Sequence, residues 1–192
     1  MPRPPNAALE AEIVAAAMRL LDRGGEDAVT LRAVAKEAGT TTPTIYERFP
    51  DRERLMKALA RQGTEDVMLV LTPCKSIEET FSAFLRDSQE NPNRTSFMVR
   101  TFGERYVSGE DMPAFNLLKS RLSEQVGVKG SDREELALAI ASLAFGTAQG
   151  MTAAGTDTRH ARQFQRSATR ALRLLLAAFA GNPKPRRKRM RS

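Results

Sequence analysis

Apolar positions recur along this chain with the spacing of α-helices, and no stretch alternates as a strand would. Ile13, Ala16, Ala17, Leu20 and Leu21 form one stripe. Leu31, Val34, Ala35 and Ala38 fall at i, i+3, i+4 and i+7 and form a second, while Ile45 and Phe49 repeat at i+4. A longer helix is predicted from Asp51 to Leu71, stopped by Thr72-Pro73. Ser76-x-x-Glu79 reads as a capping box opening a helix with Ile77, Phe81, Phe84 and Leu85 on one face, and Asn91-Pro92-Asn93 breaks it. Further helices are expected from Thr95 to Val107 and from Asp111 or Pro113 to Val126. A second capping box, Ser131-x-x-Glu134, should open the uncharged run Leu136 to Ala154, and a Gly155-Thr156-Asp157 turn should precede a last helix to Ala180. The expected fold is all-α: a three-helix head, a linker helix and a larger helical body.

The tightest pattern lies in residues 30–55, TLRAVAKEAGTTTPTIYERFPDRERL. Thr30 is placed to cap the helix that carries Leu31 to Ala38, and Gly39 ends it, because glycine takes the left-handed conformation of a sharp C-terminal turn without a steric penalty. Thr41 or Thr42 can cap the next helix, with Pro43 in its first turn, and Pro50 stops it. Ile45 and Phe49 turn inward; Thr42, Pro43, Thr44, Glu47 and Arg48 are left to face outward. This is the layout of a DNA-reading helix-turn-helix. Its second helix, about 12 Å long at 1.5 Å per residue, suits a major groove about 12 Å wide.

The ordered set Thr30-Leu31-Arg32, Val34-Ala35, Ala38-Gly39, Pro43-Thr44-Ile45-Tyr46, Phe49 and Leu55, preceded by the first stripe and Gly24-Gly25, resembles the DNA-binding domain of the TetR family of transcriptional regulators over residues 9–60. The resemblance implies base contacts from Thr42, Pro43 and Thr44, flanked by Thr41 and Thr30. It also implies a base or phosphate contact from Arg32 and a phosphate contact from Tyr46. Arg52 stands where the family usually has lysine. Two positions depart from the family's pattern. Arg48 replaces a common histidine or tyrosine and should strengthen phosphate binding; Glu47 opposes it unless paired, and reads best as a solvated partner for a neighbouring arginine.

The sequence pI near 10.1 adds less than it suggests. Lys184, Arg186, Arg187, Lys188, Arg189 and Arg191 supply six of the seven net positive charges, and without them 24 basic residues face 23 acidic ones. Residues 182–192 are expected to be a disordered basic tail that adds phosphate contacts, meets anionic lipid heads, or only solubilises. Residues 1–8 are expected to be a flexible arm, 1–55 the DNA-binding domain and 56–181 an effector-binding and dimerisation domain. The single cysteine, Cys74, excludes an internal disulfide and argues against a cysteine-built metal site, so a cytoplasmic protein is implied. Leu136 to Ala154 lacks charge but is rich in small and polar residues, and reads as a buried helix instead of an integral membrane segment. His160 is the only histidine and has no triad pattern around it, so neither catalysis nor a cofactor or metal is expected.

Eight of the nine phenylalanines lie at or after residue 81. Phe81, Phe84, Phe97, Met98, Phe102, Met112, Phe115, Phe145 and Met151, with Gln149, Tyr106, Asn116 or Arg100 as polar anchors, are candidates to line a small-molecule cavity such as the family resemblance implies. Ser142, Gly146, Gly150 and Ala154 make a small-residue ridge. Phe164, Ala168, Ala171, Leu172, Leu175 and Phe179 make an apolar stripe on the last helix, and Arg159, Arg162, Arg166, Arg170 and Arg173 a solvated row. Ridge and stripe are the expected dimer interface, where the TetR family also dimerises; packing within the chain is the alternative for the ridge. The reading that follows is a homodimeric, sequence-specific repressor of a near-palindromic double-stranded operator, released by a small, largely apolar effector. The rival is a ligand-binding or scaffolding protein with weakened DNA recognition, or a nonspecific binder of nucleic acid or membrane through its tail. Deleting residues 184–192 is expected to flatten the salt dependence of DNA binding while preserving preference for one duplex over competitor; loss of that preference in a mobility-shift titration would favour the tail-driven binder.

Overall fold

The computed structural model describes residues 7–155 and 157–180, and all regular structure among them is helical. The elements are α1 (Ala7–Gly24), a 3-10 turn (Glu26–Ala28), α2 (Leu31–Glu37), α3 (Thr42–Arg48), α4 (Arg52–Leu71), α5 (Ile77–Glu90), α6 (Pro92–Val107), α7 (Pro113–Gln125), α8 (Gly130–Ala153) and α9 (Thr158–Ala180). Ala7 and Ala8, expected in a flexible arm, open α1 instead. The rest of that arm and the basic tail fall on residues 1–6 and 181–192, outside the described residues.

Local chemistry sets most boundaries where the sequence places them. Thr30, Thr41, Asp51 and Ser76 are N-caps, each accepting from the backbone N–H three residues on. Ser76 and Glu79 form the reciprocal capping box, and hydrogen bonds from the Lys75 and Ser76 backbone hold the Glu79 carboxyl below its usual range. The second expected box does not form. Lys129 is the N-cap of α8, with no side-chain hydrogen bond, and Glu134 is drawn away to the Tyr106 hydroxyl and Lys119. The break at Asn91-Pro92 is also tighter than expected: α6 begins at Pro92, whose missing N–H costs nothing in the first turn of a helix.

Two apolar cores result. One joins α1, α2, α3 and the first half of α4 through Ile13, Leu21, Val34, Ile45, Phe49, Leu55 and Leu59, and reaches Ala60. It continues past the expected boundary at Leu55, within an unbroken helix. The other joins α5, α7, α8 and α9 through Phe81, Leu85, Leu122, Leu136, Ile140 and Leu172. The α8 helix is long and apolar enough to span a membrane by length and composition. Leu136, Ala137, Ile140, Ala141, Ala144, Ala148 and Met151 instead bury its inner face in this second core.

The apolar stripe of α9 departs from expectation. Ala168 and Leu172 are buried in the chain's own core, and Leu175 packs half-buried against it, so these three are not free for a partner. The reason is the depth of α9's inner face, which closes over α5 and α8. Gly150 is likewise used within the chain: a Cβ there would lie 2.6 Å from the Phe164 ring, which rests on it. Ser142 and Gly146 of the ridge do face outward, and Phe164 on α9 is also exposed. All five arginines of the α9 row are exposed. Replacing the fully buried Leu172 by alanine should cost about 2–5 kcal/mol of stability in urea denaturation. Leu174→Ala, at a residue 64% exposed in the single chain, should change the stability of the monomer by less than about 0.5 kcal/mol. Equal effects would contradict this assignment of the two faces.

Candidate functional site

The head presents α3 on a turn built by backbone hydrogen bonds. Gly39 has φ of 63°, Thr40 N–H donates to Ala35 O at 2.9 Å and Gly39 N–H to Lys36 O at 3.3 Å, the paired bonds of a Schellman motif. After two residues more, Thr41 Oγ1 accepts from Thr44 N–H at 3.4 Å and starts α3, with Pro43 in its first turn. Ile45 and Phe49 hold this helix to the core. Pro43, Tyr46 and Glu47 are exposed on its other side, Tyr46 at 52%, and Thr42, Thr44 and Arg48 are half-buried. Thr30 and Arg32 are exposed at the N-terminal end of α2.

Several of these side chains already have work within the fold. The Thr30 and Thr41 hydroxyls are caps, and Thr41 Oγ1 lies 2.9 Å from Thr44 Oγ1. Arg52, expected at phosphate, donates from Nε to Val29 O at 3.0 Å and from Nη2 to Glu26 O at 2.9 Å. It thus ties the start of α4 to the 3-10 turn before α2. Arg48 Nε is buried and has no hydrogen-bond partner, a state that costs about 1–3 kcal/mol. Glu37 of α2 is gripped by Arg19 and Arg23 of α1 at 2.9 and 2.6 Å, and those bonds hold its carboxyl below the ordinary range.

Behind the head lies an apolar cavity of about 140 Å³. Phe81, Phe84, Met98, Phe102, Met112, Phe115 and Phe145 line it, with Val99, Leu71 and Ile140. Phe102 stands edge-on to both Phe115 and Phe145, at centroid distances of 5.7 and 4.9 Å. Six expected lining residues lie elsewhere: Met151 in the body core, Asn116 at an adjacent surface groove, Arg100 paired with Glu26, and Phe97, Gln149 and Tyr106. Phe97 is turned into the head core, 4% exposed, because successive residues of α6 point about 100° apart and Phe97 falls on the side that faces the head. Gln149 is exposed on the outer face of α8. Tyr106 stacks on Phe102 but opens onto an adjacent surface groove, with its hydroxyl donating to Glu134 Oε1 at 3.1 Å. His160 lies on the surface with Nδ1 2.7 Å from Asp157 Oδ2.

The polar part of the cavity was missed in sequence. Asp87, Arg94, Thr95, Thr64, Thr80 and Arg105 all line it. Arg94 donates to both carboxylate oxygens of Asp22 in α1, at 3.1 and 2.6 Å, and to Asp66 in α4 at 2.8 Å. Beside it Asn93 Nδ2 donates to Asp22 O at 2.9 Å, and Arg100 pairs with Glu26. Burial pushes the Asp87 carboxyl above the usual carboxylate range, against the pull of the Asn91 amide and the Arg94 charge. No local signal marks Arg94, whose partners stand 72 and 28 positions away.

Comparison with known proteins agrees with this geometry. The model of the family described as bacterial regulatory proteins, tetR family, matches residues 13–59. The HTH-type transcriptional repressor KstR of Mycobacterium tuberculosis is 30% identical over 98 residues, which span 47% of this chain and 44% of the repressor. The matched stretch is therefore less than half of that relative's length. The fold of the whole chain is similar to that of a TetR variant from Acinetobacter baumannii AYE crystallised in complex with minocycline, at TM-score 0.66 and 17% identity over 88% of this chain and 95% of that one. It is similar also to BioQ of Mycobacterium smegmatis, at TM-score 0.66 and 19% identity over 91% and 98% of the two chains. The helix-turn-helix sequence and these likenesses agree: residues 13–59 match the DNA-binding domain of the tetR family of bacterial regulatory proteins, and the all-helical body behind them has the fold seen in the TetR variant and BioQ.

Proposed function

We propose that this protein is a sequence-specific DNA-binding transcriptional regulator, a homodimeric repressor that leaves a near-palindromic double-stranded operator when a small, largely apolar effector enters the body cavity. The observation that carries the reading is the short α3, exposed on a Schellman turn inside the residues that match the family. At seven residues it is about 10 Å long, so it enters a major groove with its N-terminal turn foremost. Thr42, Pro43 and Thr44 then meet base edges, partly through apolar contact with thymine methyls, and Tyr46 and Arg32 meet phosphates. Arg48 gains by swinging outward, since a phosphate would satisfy its orphaned Nε. Arg52 serves this interface by holding α4 and the 3-10 turn in place. The reading places the protein in the cytoplasm, with the DNA-binding head ending within α4 and the effector and dimer functions in the helices beyond.

Release is proposed to run through α6. Its Met98, Val99 and Phe102 line the cavity, while Phe97 lies in the head core and Arg94 and Arg100 grip Asp22, Asp66 and Glu26. An occupant that shifts α6 therefore shifts α1 and the turn before α2. In a dimer whose two α3 helices stand about 34 Å apart, one DNA turn, such a tilt spoils the spacing. A coupling of about 1–3 kcal/mol would weaken operator binding by several-fold to a hundredfold. The dimer is proposed to form through the outward faces of α8 and α9, which carry Ser142, Gly146, Phe164 and Leu174, all exposed in the single chain.

Two measurements test the proposal. Selection from random duplexes is expected to return a near-palindrome. Against it Thr44→Ala should relax preference at one base position at a cost of about 1–3 kcal/mol, whereas Tyr46→Phe should weaken all duplexes alike; no enrichment over competitor would sink the reading. Gly146→Arg is expected to turn a dimer into a folded monomer in sedimentation at micromolar concentration. Wild-type protein already monomeric there would refute the proposed interface.

A further inference from the structure

Among the described residues, nearly all polar groups lining the cavity are committed to the protein. Arg94 turns each of its three nitrogens toward Asp22 or Asp66. Arg105 donates from Nε to Glu110 at 3.1 Å, from Nη1 to Thr64 Oγ1 at 3.1 Å and from Nη2 to Asp111 O at 3.2 Å. The Thr64 and Thr80 hydroxyls donate to Ala60 O and Ser76 O and each accepts from an arginine, Thr64 from Arg105 and Thr80 from Arg121. Two groups are left over, both where α5 gives way to α6. Thr95 is 8% exposed and lines the cavity, yet its hydroxyl has no hydrogen-bond partner. Asp87 accepts from Asn91 Nδ2 on Oδ1 at 2.9 Å and leaves Oδ2 unbonded.

We infer that the effector is an apolar amine, its ammonium group received by the Asp87 carboxylate and the Thr95 hydroxyl and its hydrocarbon part by Phe102, Phe145 and Met98. This rests on the effector-cavity reading above and adds the chemical class. An anionic ligand would find both arginines already engaged and would meet the Asp87 charge in a poorly hydrated space, where like charges repel strongly. An ammonium supplies the donors that the two leftover acceptors lack, and charge-assisted hydrogen bonds are the stronger kind. Burial that pushes the Asp87 carboxyl upward is relieved by a cation alongside it. The cavity's size, about 140 Å³, is close to the roughly 150 Å³ that holds a benzene-sized molecule. One ring and a short chain suit it.

The test is calorimetric titration of the full chain with three matched probes: 2-phenylethylamine, 3-phenylpropionate and 2-phenylethanol. The amine is expected to bind at least ~10-fold tighter than the carboxylate, although the chain's formal charge of +7 favours the anion at long range. Asp87→Asn, which keeps a carbonyl for Asn91, should abolish the preference for amine over alcohol. Thr95→Val should weaken amine and alcohol together by several-fold; far-UV circular dichroism checks that both variants fold. Carboxylate binding as tight as amine, or an amine-to-alcohol ratio unmoved by Asp87→Asn, overturns the inference. Alcohol binding without a preference for amine overturns it and leaves the cavity reading standing, while binding of none of the three probes to the wild-type chain overturns both.

Discussion

One helix belongs to two cores, and that constraint organises the molecule. The α6 helix buries Phe97 among the head residues and lays Phe102 among the aromatic side chains of the body. Successive positions on a helix point about 100° apart, so residues five apart can serve different cores without distorting the backbone. Arg94 strengthens the constraint. Its side chain is 19% exposed, and it meets two aspartates that are themselves about one-third exposed. In this partly dry setting, removing Arg94 would leave the two aspartates without the cation between them. Interiors packed at crystal density do not deform smoothly, so under the proposed release a shift of α6 would be passed on as a movement of α1 and not absorbed locally.

The far end of α4 is held by a different device. Arg121 of α7 is 6% exposed and donates to the carbonyls of Leu71 and Thr72 at 3.0 and 3.3 Å, to that of Cys74, and to Thr80 Oγ1. A helix C-terminus ends in unpaired carbonyls with a partial negative charge, and a guanidinium satisfies several at once. The α4 helix is thereby fixed at both ends, by Arg52 and Asp51 near the head and by Arg121 in the body. Between them lies Gly63, where a Cβ would come within 2.9 Å of Met98 Sδ. The contact lets α6 cross α4 closely beside the cavity.

The candidate DNA-facing surface and the cavity differ in how each handles polar groups. On the head, Thr30 and Thr41 are consumed as caps, so much of the exposed chemistry is apolar or aromatic. In the cavity, the bonding capacity of the arginines is directed at the chain itself, and the cations serve architecture before recognition. What remains open is small in number: an aspartate oxygen and a threonine hydroxyl against a wall of phenylalanine and methionine. Specificity in such a space comes from a few convergent polar atoms, with apolar contact supplying most of the affinity.

The chain's own residues determined whatever depends on near neighbours. The caps at Thr30, Thr41, Asp51 and Ser76, the turn at Gly39 and the helix-turn-helix they produce are legible because each rests on hydrogen bonds spanning three to five residues. The all-helical class is legible for the same reason, through stripes a turn apart. Tertiary structure decided which side of each stripe meets which core. It sent Phe97 to the head and Gln149 to the surface, committed Ala168 and Leu172 to the chain's own interior, and drew Arg52 to backbone carbonyls. It also diverted Glu134 from the cap expected at Ser131. Every one of these outcomes turns on a partner far away in sequence, as with Arg94 and Asp22. Periodicity reports that a face is apolar or a residue charged, but the identity of its neighbour appears only when distant segments pack.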